Sequence, residues 1–288
     1  VTTTAPDGTP LRELLALAER TAREAGALIH DGRPRRVEVA ATKSSPTDVV
    51  TAMDTASEAL VLQRLTAARP QDGFLGEESG HRPGRSGLTW VVDPIDGTVN
   101  YLYGIRAYAV SVALVADGGA RPPGAGAGPP DPALPPDPAR WQPLVGCVHD
   151  PAGGETWTAT LGGGAHLGGH PLHVTEGVEL AGALVATGFG YDAARRAEQA
   201  AVVARLLPRV RDLRRIGTAS LDLCAVAAGR VDAYYERGLK PWDFAAAVLV
   251  ATEAGAVVTD FAGGRAGEHG LLAAGGRLHP VLREALES

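Results

Sequence analysis

Cysteine is scarce in this chain of 288 residues: Cys147 and Cys224 are the only two. They lie far apart and form no C-x-x-C pair, which excludes a disulfide framework and a zinc site built from cysteine alone, and suits a reducing compartment. Lysine is equally rare. Lys43 and Lys240 stand alone, and arginine carries the rest of the positive charge. The formal net charge is −6, so the basic surplus that a nucleic-acid backbone demands is missing and no nucleic acid is expected as main ligand. The longest clean apolar run, 244–251, falls far short of the roughly 20 residues of a membrane span. The opening VTTTAPDGTPLREL shows no basic-then-apolar signal pattern. The expectation is a cytoplasmic protein with no membrane partner.

What is present is an ordinary globular balance, 45% hydrophobic and 21% charged, enough to bury a core without staples. Apolar residues at helical spacing predict helices over 11–32, 53–68, 193–207, 220–228 and 241–255, with a last helix at 279–288. Strand patterns fall at 36–42, 73–78, 88–93, 108–117, 144–150, 155–161, 172–175, 183–189, 231–236, 256–260 and 270–275. Strict βαβ alternation and internal repeats are both missing, which favours layered α+β sheets over a Rossmann fold or a barrel. The expected organisation is an N-terminal α+β part over 1–150 and a C-terminal α/β part over 151–288. Residues 118–141 hold eight prolines and five glycines without apolar periodicity, and read as a disordered or polyproline-like surface insertion.

The stretch WVVDPIDGTVNY, 90–101, raises a chemical question. Asp93 and Asp96 stand at the mouth of an apolar strand with no basic neighbour. Pro94 keeps Asp93 extended, Asp96 is placed to cap a helix over 98–103, and Gly97 permits close approach to the backbone. The N–H groups of Gly97 and Thr98 would then face the carboxylates, and a helix start binds anions. Carboxylates and anion-binding N–H groups belong together when hard cations sit between protein and phosphate; magnesium fits oxygen ligands best, with manganese possible. GEES supplies Glu77 and Glu78, KSSPTD supplies Asp48, AYYERG supplies Glu236 and KPWDF supplies Asp243.

In this order and spacing KSSPTDVVTAMD, FLGEES, WVVDPIDGTVNY, RRIGTASLDLC and AYYERGLKPWDFAAAVLVATEAGA closely resemble the inositol monophosphatase family. The resemblance implies an αβαβα sandwich of the inositol monophosphatase and sugar phosphatase type. It also implies a lithium-sensitive, Mg2+-dependent phosphomonoesterase with two to three ions per site, and a homodimer. Carried over by position, Glu77, Asp93 and the Ile95 carbonyl would hold one ion; Asp93, Asp96 and Asp243 a second; and a third would lie near Glu77. Thr98 and Asp48, with Glu77, would serve the attacking water. Asp96, Gly97, Thr98 and Asp243 would adjoin the phosphate. Gly217, Thr218, Ala219 and Glu236 would meet the hydroxyls of a small phosphorylated polyol or sugar. Val99 and Ala247 depart mildly from the family pattern. Inositol monophosphate is the expected substrate, with histidinol phosphate as the first alternative and a non-catalytic binding protein on the same fold as the rival class. If the insertion is passive, deleting 121–138 should leave turnover within about twofold, because surface loops tolerate such changes; a large loss measured by phosphate release would show that it covers the site or a subunit contact.

Overall fold

The computed structural model describes residues 3–34, 37–43, 49–116 and 134–287. Asp48 and most of the proline-rich insertion, 118–133, lie outside the described residues. The chain starts with α1 (Leu11–Asp31), a small hairpin of β1 (Ala41–Thr42) and β2 (Val49–Val50), and α2 (Ala52–Ala68). Then come β3 (Gly73–Gly76), β4 (Gly80–Arg82), β5 (Leu88–Asp96), α3 (Thr98–Tyr103), β6 (Ala109–Ala116), β7 (Gln142–Asp150), β8 (Glu155–Thr160), β9 (Gly164–Leu167) and β10 (His170–Pro171). These strands form an eight-stranded sheet in the order β10-β9-β8-β7-β6-β5-β3-β4. It is antiparallel except where β3 runs parallel to β5.

The rest of the chain gives β11 (Leu184–Thr187), α4 (Ala193–Leu206), β12 (Asp212–Arg214), α5 (Ala219–Ala227), β13 (Ala233–Glu236), α6 (Pro241–Glu253), β14 (Val257–Thr259), β15 (Leu271–Ala274) and α7 (Leu278–Glu287). Its strands make a five-stranded mixed sheet in the order β12-β11-β13-β15-β14.

Three apolar clusters fix the layers. One joins α1 and α2 to the outer face of the large sheet through Leu14, Ile29, Leu65, Trp90 and Val92. A second holds α5 and α6 between the two sheets, with Val91 and Val148 on one side and Tyr234 and Leu271 on the other. The third packs α7 and the end of α4 on the far face of the small sheet, through Leu206, Leu278 and Leu282. The result is the αβαβα sandwich. α5 is buried all along its length, and α6 nearly so, as helices between two sheets must be. β5 is buried at every residue, which is why it reads as a continuous apolar run and not as an alternation.

Two strand expectations differ. Of the expected strand over 36–42, only Ala41–Thr42 pairs among the described residues, because Glu38 to Thr42 are exposed and have no large sheet to bury a face against. The run 172–175 is not a strand: Val174 N donates to Ala254 O at 3.0 Å, tying the segment to the end of α6. The expected division at residue 150 falls at the end of β7, and β8 to β10 still belong to the large sheet.

The sheet-to-helix approach is close. A methyl placed on Gly146 in β7 would lie 2.5 Å from the backbone oxygen of Ala246 in α6. Two backbones cannot yield as a side chain tip can, so Gly146→Ala is expected to destabilise the fold by about 1–3 kcal/mol, read from urea unfolding midpoints; an unshifted midpoint would contradict this packing.

Candidate active site

The acids gather where β5 ends. Val91 faces the middle layer while Trp90 and Val92 face α1 and α2, so alternation turns Asp93 toward α6. The register of β5 against β6 then shifts between Asp93 and Asp96, a bulge that re-aims the chain. Asp93 Oδ1 accepts from Ile95 N at 3.0 Å, and Ser57 Oγ donates to Pro94 O at 3.0 Å, fixing the turn from α2. Gly97, at φ +91°, is the residue before α3; a methyl there would lie 2.5 Å from Thr218 Oγ1 and 2.9 Å from Ala107 O. The conformation and the space both demand glycine.

Asp96 was expected to cap α3. The structure gives that position to Gly97 and sends the Asp96 side chain across to α5, where Oδ2 accepts from Ser220 N at 2.7 Å and Ser220 Oγ at 2.5 Å. Thr218, the residue before α5, makes no side-chain cap of its own, so Asp96 satisfies an open N–H of a helix in the other half of the chain. Asn100 strengthens the same junction: its Nδ2 donates to Ala107 O and Ile216 O, both at 2.9 Å.

Glu77 leaves β3 beside this turn. Glu58, buried in α2, accepts from Glu78 N at 2.8 Å and Ser79 N at 2.6 Å and holds the GEES turn. Asp243, in the first turn of α6, accepts from Lys240 N at 2.7 Å. Glu77, Asp93, Asp96 and Asp243 thus line one cleft of about 530 Å³, together with Glu236 and the turn of Gly217, Thr218 and Ala219. At the other end Tyr234 OH donates to Glu236 Oε2 at 2.5 Å.

Crowding of buried acids raises their proton affinity. Burial pushes Asp93 well above the carboxylate range, and the charges of Glu77, Asp96 and Asp243 push it further. Asp243 moves the same way, first by desolvation and then by Asp96 and Glu77. Desolvation takes Glu77 up to about 7 against the pull of Lys43, Asp96 up to about 6 against its bonds to Ser220, and Glu236 up to about 7 against Tyr234 and Arg215.

The counter-charge assigned to metal alone is partly protein. Lys43 Nζ stands 2.7 Å from Glu77 Oε1 and 2.7 Å from Glu78 Oε1. Burial works against its charge, but the two carboxylates outweigh burial and hold it protonated. Among the described residues no three acid, histidine or cysteine side chains are drawn together as a ready-made metal cage. The donor set nonetheless fits a hard cation: it is all oxygen, clustered, desolvated and short of positive charge. An ion at Glu77 would take the place of the Lys43 ammonium.

Thr98 Oγ1 is 3.0 Å from Asp54 Oδ1 and 2.9 Å from Ile95 O. Asp54, fully buried, also accepts from Thr51 N and Oγ1 in a capping box on α2. Thr98 therefore has an acid partner in Asp54; Asp48, the acid expected from the sequence, lies outside the described residues. The spacing T-x-x-D at 51–54 was the available signal, since Thr51 and Asp54 read as a capping pair that places the acid at the start of α2. Sequence reasoning also passed over Arg195 and Arg215, which line the cleft beside Glu236.

Comparisons with known proteins follow this geometry. The family model described as "Inositol monophosphatase family" matches residues 10–121 and 139–288. The inositol-1-monophosphatase SuhB of Mycobacterium tuberculosis is 44% identical over 276 residues, covering 88% of this chain and 86% of that protein. The Nus factor SuhB of Escherichia coli is 37% identical over 256 residues, 88% and 87% of the two chains. Among solved structures, the extragenic suppressor protein suhB of Bartonella henselae superposes with a TM-score of 0.83 at 30% identity, covering 96% of this chain and 99% of that one. The inositol monophosphatase of Anabaena gives 0.78 at 31% identity, with 96% of each chain covered. The layered fold is thus shared with phosphoric monoester hydrolases. The chain belongs to the inositol monophosphatase family.

The raised acids set a pH dependence in metal-free protein. A carboxyl that binds its proton more tightly when folded costs stability once that proton leaves. The contribution of Asp96 and Glu77 to stability is complete below their ordinary values of 3.8 and 4.5 and is lost as pH rises through about 6 to 7. In EDTA the melting temperature should fall by a few °C, on the order of 5 °C, between pH 5 and pH 7. Asp93→Asn should flatten the fall, and magnesium should remove most of it. Parallel curves for wild type and variant in a thermal scan would refute the assignment.

Proposed function

We propose that the protein hydrolyses a small phosphomonoester, inositol monophosphate above all, to the free polyol and phosphate. The observation that carries the reading is the convergence of Glu77, Asp93, Asp96 and Asp243, from both halves of the chain, on one cleft where burial and mutual repulsion disfavour their charged forms. Such a group is at rest only with cations among it. Glu77, Asp93 and the Ile95 carbonyl would hold one Mg2+, and Asp93, Asp96 and Asp243 another, with a third near Glu77 and Mn2+ able to substitute. Bound there, the ions supply Lewis acidity, acidifying water and neutralising phosphoryl charge.

The chain's own residues do the rest. Gly97 lets the start of α3 pack tightly against Thr218 and Ala107, which keeps Gly97 and Thr98 at the cleft where a phosphoryl group would sit. Thr98 and Asp54, 3.0 Å apart, orient the attacking water and can take its proton. Glu236 and the Gly217-Thr218-Ala219 turn receive the hydroxyls of the leaving polyol, since a carboxylate accepts from several at once. Cys224 and Cys147 are buried with thiols pushed up by desolvation, which suits packing and not attack. The same arrangement would serve histidinol phosphate, whose amine could meet Glu236.

A second reading takes its start from the name Nus factor, given to the Escherichia coli relative, and makes this chain a binding partner without chemistry. Such a protein has no use for desolvated acids around a cleft, and Asp54 and Thr98 would be free to vary.

Phosphate release from inositol monophosphate and from histidinol phosphate, with and without magnesium and lithium, tests the reading. Asp93→Asn should lower turnover by more than about 10²-fold, and Asp54→Asn by about 10²–10⁴-fold, with circular dichroism unchanged in both. A folded wild type that releases no phosphate from either ester would leave the binding reading standing; near-normal turnover in Asp93→Asn would remove the metal assignment.

A further inference from the structure

Behind the Gly217 turn lies a buried acid that hydrolysis, as derived above, does not use. Asp222 stands in the first turn of α5, within the stretch RRIGTASLDLC, and is 1% exposed. Its carboxyl accepts from the N–H of Gly217, which opens the turn before α5 in the left-handed region at φ +91°. Among the described residues its Oδ1 accepts no hydrogen bond. A buried carboxyl with one oxygen unpaired costs stability where it stands, and a neutral side chain would serve a single N–H at less cost. Its presence calls for another reason.

The surroundings tie Asp222 to the polyol end of the cleft. After burial, Glu236 is the strongest charge acting on it, with Asp96 next, while Arg215 pulls the other way. The Tyr234 hydroxyl feels the same two carboxyls, Glu236 first and Asp222 second. Tyr234 is 0% exposed and packs into the middle layer that holds α5, and its OH donates to Glu236 Oε2 at 2.5 Å. Glu236 also lies against the backbone at Gly188, where a methyl would collide with its carboxylate. The turn is pinned as closely. Asp222 takes the Gly217 N–H, Asp96 takes the Ser220 N–H, and Asn100 Nδ2 donates to Ile216 O at 2.9 Å. Glu236 and the Gly217-Thr218-Ala219 turn line the cleft, whereas Asp222 and Tyr234 stand behind them.

Groups that recognise hydroxyls must be held to within about 0.5 Å by the side chains that support them. We propose that Asp222 and Tyr234 are positioning residues for the polyol half of the site: Asp222 fixes the Gly217-Thr218-Ala219 turn, Tyr234 fixes Glu236, and together they set the preference for esters whose leaving group carries ring hydroxyls. The proposal rests on the phosphomonoesterase reading and deepens it, since it places substrate choice in two buried side chains away from the cation pole. Asp93, at that pole, is governed instead by Glu77, Asp96, Asp243 and Lys43.

Two esters that share a six-carbon ring and differ only in its hydroxyls test it: inositol 1-phosphate and cyclohexyl phosphate, assayed for phosphate release over a magnesium titration. In wild type, kcat/KM should favour inositol 1-phosphate by about tenfold or more, the worth of one or two hydrogen bonds to a charged group. Asp222→Ala should raise KM for inositol 1-phosphate about tenfold and Tyr234→Phe severalfold, with kcat held within about twofold. Both variants should keep the wild-type kcat/KM on cyclohexyl phosphate and the wild-type magnesium half-saturation. Asp222→Asn, which keeps an acceptor for the Gly217 N–H, should restore most of the KM. If Asp222→Ala does not fold by circular dichroism, the Tyr234→Phe ratio decides the same question. Equal loss on the two esters, a loss confined to kcat, a shifted magnesium half-saturation, or a wild type indifferent to the ring hydroxyls would overturn the assignment and leave hydrolysis intact. No release from either ester by folded wild type would instead bring down the phosphomonoesterase reading and this assignment with it.

Discussion

The structure is organised around electrostatic repulsion that the protein does not relieve by itself. Asp93 and its neighbours are placed where water cannot solvate them fully and where each raises the energy of the others' charged forms. Burying ionised groups without partners costs several kcal/mol each in a folded protein, and a sequence selected for stability alone would replace them. Lys43 offsets the strain mainly at Glu77, with a weaker pull on Asp93. The remaining imbalance leaves the cleft short of positive charge, which small cations would supply.

Much of the surrounding architecture serves to hold those side chains still. The bulge in β5 separates Asp93 from Asp96, Ser57 and Glu58 reach from α2 to fix the two acidic turns, and Asn100 bridges α3 to the turn before α5. Each of the three aspartates uses one oxygen in a bond to backbone: Asp93 to Ile95, Asp96 to Ser220, Asp243 to Lys240. That leaves the second oxygen of each for the cleft and limits the rotamers that a ligand would have to order.

How much of this was legible follows from range. The helices α1, α2 and α6 and the strands β5 to β8 were readable because burial imprints local periodicity. Asp93 and Asp96 were readable because two unbalanced carboxylates at the end of an apolar strand are chemically odd, whereas Glu77 and Asp243 joined them only through their joint occurrence and the family resemblance. What escaped was set by contacts distant in sequence. Asp96 looked like a cap for the next helix, and only the tertiary fold gives it α5. Asp54 was passed over in the sequence, and its bond to Thr98, 44 residues away, is set by the tertiary fold. The segment 36–42 had strand-like residues, but no neighbouring sheet to complete it. Arg195 and Arg215 carried no local signal, since a guanidinium on an exposed helix or turn looks the same whether or not a cleft lies beside it.

The bond from Asp96 to Ser220 spans 124 residues. Closing so long a loop is entropically unfavourable until both sheets exist to bring its ends together, and contacts of this separation form late. On a ribosome the aspartate emerges well ahead of the serine it must meet, so the cleft cannot mature before most of the chain has been synthesised. Competence for chemistry is therefore the last property this molecule acquires as it folds, and it reports that the two halves have docked correctly.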